Sequence, residues 1–122
     1  PETKGLLGHG ELALLPPGAL LVNIGRGPIV AEQALYHALT EGHLGAAGLD
    51  VWYNYPEDEA SRTHTPPASV PLHELDNVVL SPHRGGMTAD TNRLRVDALI
   101  EMLNTAVNDQ PLPNQISLDR GY

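Results

Sequence analysis

The sequence predicts an α/β fold with three short parallel strands and flanking helices. Three observations carry this. Short apolar runs bounded by turn signals recur at Ala19 to Ile24, Leu44 to Trp52 and Asn77 to His83. Helical periodicity fills the first interval, where Ala31, Ala34, Leu35, Ala38 and Leu39 fall at i, i+3, i+4, i+7 and i+8. Strands that alternate with helices make a parallel sheet with right-handed crossovers.

The elements follow in order. Glu11 to Leu15 reads as a short helix, stopped by Pro16-Pro17-Gly18. The first strand runs into Gly25-Arg26-Gly27-Pro28. The periodic helix ends at Gly42. Small residues in "LGAAGLDVW" suit a tightly packed second strand. Residues 56 to 72, acidic and rich in Pro, Ser and Thr, read as a long loop of the functional or mobile kind, with room for a short helix near His73 to Leu75. "NVVLSPH" is the third strand. Thr88 is a candidate N-cap for a long helix to about Val107, with Leu99, Met102, Leu103 and Ala106 as its buried stripe and Arg93, Glu101 and Asn104 facing water. Pro111 and Pro113 follow, and the tail is extended or irregular.

Composition narrows the function. The 122 residues suffice for one modest domain. A net charge of −8 repels phosphate backbones and anionic membranes, so neither nucleic acid nor a membrane is expected as a partner. With no cysteine, disulfides and thiolate chemistry are excluded. His64, His73 and His83 lie nine and ten residues apart, without the close pair of a metal motif, so no metal is expected. No apolar run approaches the ~20 residues of a membrane span, and a cytoplasmic setting is compatible. The opening "PETKGLLGHG" lacks a Met and reads either as a processed start or as a piece of something larger.

In an open parallel sheet the carboxyl ends of the strands share one edge, where ligands bind. That edge receives Arg26, Asp50 and His83, one from each strand. Taken singly, Arg26 can be a solvated charge, Asp50 a turn cap and His83 structural. Together they make a coherent chemistry. Arginine grips a carboxylate with a planar fork of donors, and histidine carries a proton near neutral pH.

"PETKGLL", "GALLVNIGRGPIV", "GHLGAAGLDVW", "NVVLSPHRGG" and the closing "RGY" resemble the NAD-dependent D-2-hydroxyacid dehydrogenases, a group with glyoxylate/hydroxypyruvate reductases, phosphoglycerate dehydrogenases and formate dehydrogenase. The resemblance spans essentially the whole chain. It implies the second half of a Rossmann-type doubly wound parallel sheet over residues 1–108, and a tail, 109–122, returning to a substrate domain. It implies NAD or NADP as cofactor and a small 2-hydroxy or 2-keto acid as substrate. Arg26 matches the carboxylate-binding arginine, and His83 the acid/base. Ile24, Gly25, Arg26, Asp50, His83, Gly85 and Gly86 match positions near the nicotinamide. Where the family has a glutamate beside the histidine, this chain has Tyr55, followed by Pro56. Tyrosine is neutral at pH 7, so Tyr55 joins Arg26 and His83 as a catalytic candidate that supplies no charge. Glu57, Asp58 and Glu59 follow closely.

There is no G-x-G-x-x-G for the cofactor's phosphates; "GRGPIV" has two of its three glycines and serves the arginine turn. The sequence therefore reads as a dehydrogenase fragment, inactive by itself and able to form a homo-oligomer through the exposed edge of strand 19–24. The competing reading is a non-catalytic binding or scaffolding protein that keeps the half-fold.

Overall fold

The computed structural model describes residues 2–119; the closing "RGY" motif lies outside them. The chain divides into two units, Pro1–Gly85 and Gly86–Tyr122.

The first unit holds helix α1 (His9–Ala13), strand β1 (Ala19–Asn23), helix α2 (Glu32–Thr40), strand β2 (Leu44–Leu49) and strand β3 (Val78–Leu80). The strands form one sheet in the order β1-β2-β3, and both pairings are parallel. This is the expected three-stranded half-sheet. In β1 the alternation is clean: Leu21 and Asn23 point inward and are buried, while Leu20 and Val22 are exposed. Leu21, Leu44, Ala47 and Leu49 of the sheet meet Ala34, Leu35, Ala38 and Leu39 of α2, and Leu12 of α1 joins the same core. Leu35 is fully buried, and truncating such a leucine to alanine costs about 2–5 kcal/mol. The other sheet face is apolar and open, with Leu20, Val22 and Val79 each more than 70% exposed.

Several boundaries differ from the expectation. Helix α1 lies two residues earlier, because Pro16 drives Leu15 out of helical geometry while Glu11 reaches back to the Gly8 N–H at 2.8 Å. Strand β2 stops at Leu49, where β3 stops pairing with it, and not at Trp52. Strand β3 ends at Leu80, since Pro82 has no N–H for the ladder. His83 therefore lies beyond the strand, at a left-handed φ of 54°.

The 56–72 segment is not a loose loop. It has a 3₁₀ turn at Ala60–Thr63, and a second 3₁₀ turn, Leu72–Glu74, occupies the site where a short helix was expected. Ala68, Val70 and Leu72 are buried in the core. The Tyr53 and Asn54 N–H groups donate to the Pro67 carbonyl at 2.9 and 3.1 Å. Apolar residues hidden among Pro, Ser and Thr thus anchor it.

In the second unit, helix α3 spans Thr91–Val107, with Asp90 and not Thr88 at its N-cap. Thr88 instead donates its backbone N–H to the Thr91 hydroxyl at 2.8 Å. Leu99, Met102, Leu103 and Ala106 are exposed rather than buried. Their spacing marks the face that seeks cover, but among the described residues α3 is the only regular element of its unit. Among the described residues no helix is long and apolar enough to cross a membrane.

Candidate active site

The site is built where β1, β2 and β3 end. Leaving β1, the chain turns at Gly25, and Asn23 holds that turn. The Gly25 N–H donates to Asn23 Oδ1 at 3.1 Å, and Asn23 Nδ2 donates to the Arg26 carbonyl at 3.0 Å. Arg26 Nη1 donates to the Gly25 carbonyl at 2.8 Å, and the side chain is otherwise exposed. Gly27 is buried against the β2 exit; a Cβ there would lie 2.2 Å from the Trp52 carbonyl oxygen, so no other residue fits.

Leaving β2, Asp50 is buried. Its backbone N–H donates to the Asn23 carbonyl at 3.0 Å, tying the two strand ends together. Its carboxylate accepts the Ser81 hydroxyl, the Arg84 N–H at 2.8 Å and the Gly85 N–H at 2.8 Å. These donors, Ser81 first and Gly85 next, hold the carboxyl below its usual range. Asp50 thereby fastens the whole 81–85 turn.

That turn carries His83. Tyr55 Oη lies 3.1 Å from His83 Nδ1 and accepts the Trp52 N–H at 3.0 Å. Tyr55 stacks on Trp52, with ring centroids 5.9 Å apart, and tilts against His83 at 5.8 Å. The Trp52 indole N–H donates to the Ser81 carbonyl at 3.0 Å. Arg26, Asp50, Tyr55, His83 and Gly85 all belong to the first unit, while Gly86 opens the second, where its carbonyl accepts the Thr91 hydroxyl at 3.0 Å.

Beside the turn lies a cleft of about 240 Å³, lined by Val22, Ile24, Gly48, Asp50, Val79 and Gly85 among others. Its wall is apolar, and Ile24 is 73% exposed. Among the described residues no three His, Asp or Glu side chains gather to hold a metal ion.

Three residues were missed in the sequence. Ser81 lies inside the quoted "SPH" motif, yet a serine beside a proline carries no signal of its own. Trp52 acts through its indole N–H, its ring face and its backbone N–H together, and the partners of all three are visible only in the folded chain. Asn23 had one legible sign: it is a polar residue at an inward position of an apolar strand.

A family model described as D-isomer specific 2-hydroxyacid dehydrogenase, NAD binding domain, matches residues 1–85. The chain belongs to this family. Among its relatives is the D-3-phosphoglycerate dehydrogenase of Escherichia coli (strain K12), 43% identical over 90 residues, which cover 74% of this chain and 21% of that protein. The hydroxyphenylpyruvate reductase of Plectranthus scutellarioides is 40% identical, over 92% of this chain and 33% of that protein. Among solved structures, a D-isomer specific 2-hydroxyacid dehydrogenase from Xanthobacter autotrophicus Py2, in complex with NADPH and MES, superimposes with a TM-score of 0.79 at 35% identity, covering 100% of this chain and 46% of that one. The chain thus spans about a fifth to a third of the length of these curated relatives. The cofactor class of the family is the nicotinamide dinucleotides, NAD by the description of its domain and NADPH in the Xanthobacter complex.

Proposed function

We propose that these residues form the second mononucleotide-binding half of the cofactor domain of a D-2-hydroxyacid dehydrogenase, over residues 1–108, with 109–122 leading back toward a substrate domain. The complete enzyme interconverts a small 2-keto acid and its 2-hydroxy acid. Arg26 grips the carboxylate, His83 gives a proton to the carbonyl oxygen during reduction and takes it back during oxidation, and Tyr55 orients His83 through Nδ1. That leaves Nε2 for the substrate oxygen. Because the Trp52 N–H already occupies one lone pair of Tyr55 Oη, the hydroxyl can either donate to a neutral His83 or accept from a protonated one. It adds no charge in either case.

The bound nicotinamide supplies or accepts the hydride. The apolar cleft bounded by Val22, Ile24 and Val79 fits a flat ring, with Asp50 and Gly85 at its polar edge, and Gly25 adds a backbone contact beside it. The glycine-rich phosphate loop has no counterpart in these 122 residues. Hence we expect the chain alone to be inactive and its open β1 edge to pair with a second copy.

The observation that carries the reading is the convergence of Arg26 and the Tyr55–His83 pair at one rim of a parallel sheet. It is tested in a full-length dehydrogenase containing these residues. Arg26→Ala is expected to lower kcat/KM for 2-keto acids by at least about 100-fold, as loss of a two-pronged charged contact does. A change under about threefold refutes the assignment.

A further inference from the structure

We propose that Asn23 is the positioning residue for Arg26, acting on recognition of the substrate's charged end and not on proton transfer. The proposal rests on the reading of Arg26 as the carboxylate anchor. Among the described residues two polar side chains are buried, Asn23 and Asp50, and they sit at the ends of neighbouring strands. Asp50 is fully engaged with the turn that carries His83. Asn23 is engaged with the turn that carries Arg26.

The bonding is specific. Oδ1 of Asn23 fixes the peptide that ends in the Gly25 N–H, and Nδ2 fixes the one that ends in the Arg26 carbonyl. The peptide between them is therefore held from both sides. Its oxygen is the Gly25 carbonyl, which accepts Arg26 Nη1 at 2.8 Å. One buried amide thus sets the backbone, and the backbone sets one end of the guanidinium. Nη2 and Nε remain for a carboxylate, and their direction follows because the guanidinium is planar. Without the amide, Gly25 would be the freest joint of the turn. The amide at position 23 offers an acceptor and a donor on two separate atoms, one for each side of the turn: aspartate lacks the donor, and an aliphatic residue lacks both. The proton-transfer residues are held separately, by Asp50, Ser81 and Trp52.

The test is a double-mutant cycle in a full-length dehydrogenase containing these residues, comparing wild type, Asn23→Ala, Arg26→Ala and the double variant. Each is assayed on a 2-keto acid and on its uncharged amide across pH, with a melting curve to verify folding. Asn23→Ala should raise KM for the acid on the order of tenfold or more. KM for the amide and the pH profile should not move. The double variant should be no worse than Arg26→Ala, because Asn23 has nothing left to position. Equal losses on both substrates, or losses that add to those of Arg26→Ala, would mean a general structural role and overturn the proposal. A costly Arg26→Ala beside a silent Asn23→Ala overturns this proposal alone. A silent Arg26→Ala overturns it together with the assignment of the anchor. Asn23→Leu, close in shape, uncharged and lacking both hydrogen-bonding groups, carries the same test if the alanine variant fails to fold.

Discussion

Replacing Gly27 with alanine probes the seam between the arginine turn and the segment that carries Tyr55. The added Cβ would lie 2.2 Å from the Trp52 carbonyl oxygen, 2.6 Å from its carbon and 3.1 Å from the Tyr53 nitrogen. Carbon–oxygen contacts settle at about 3.3 Å or more, so the turn must retreat by about 1 Å. The obstacle is backbone, which cannot swing aside as a side chain does. Forced overpacking of this kind costs about 1–3 kcal/mol, and a stiffer unfolded chain returns up to about 1 kcal/mol. A net loss of about 2 kcal/mol in urea denaturation of the 122-residue chain is expected. In the complete enzyme the displacement also moves Arg26 relative to His83, and misplacement by about 1 Å lowers kcat/KM by roughly 100-fold. Gly10→Ala is the control: nothing lies within 4 Å of its Cβ, it sits in α1, and the change should stabilise by up to about 1 kcal/mol. If Gly27→Ala stays within about 0.5 kcal/mol of wild type and keeps its activity, the seam is not a rigid contact.

Other expectations follow from the same geometry. Tyr55→Glu in the full-length enzyme sets a carboxylate against the imidazolium of His83 and should extend keto-acid reduction upward by about one pH unit; an unchanged pH–rate profile would sink the Tyr55–His83 pairing. Asp50 has a carboxyl lowered in the folded state, so its contribution to stability is present above the unfolded value near pH 4 and is lost as the pH falls through the lower folded value. Asp50→Asn should accordingly flatten the acid limb of the stability curve below about pH 4, and an unaltered slope there would contradict the bonding described. The isolated chain should self-associate and should not bind NAD at micromolar levels; a monomer by light scattering at tens of micromolar, or saturable NAD binding in that range, would count against an open β1 edge and a missing phosphate site.

The sequence alone determined the parallel half-sheet and the residues on its rim. Short apolar runs, one periodic helix and glycine-rich stops are local signals, and parallel connectivity then sends every strand end to one edge. Arg26, Asp50 and His83 were legible for that reason. The family followed from motifs at those same strand ends, because glycines and charged residues there answer to tight local geometry. Other features depend on distant partners. Val70 and Leu72 lie in a Pro- and Ser-rich stretch without periodicity, and only the assembled core reveals that they anchor it. The apolar stripe of α3 has helical spacing, yet its burial depends on a covering surface, which spacing cannot encode. The roles of Asp50 and Asn23 were decided by tertiary structure too. A buried polar side chain must find partners, and for Asp50 these lie more than thirty residues away, in a turn that only strand pairing brings alongside.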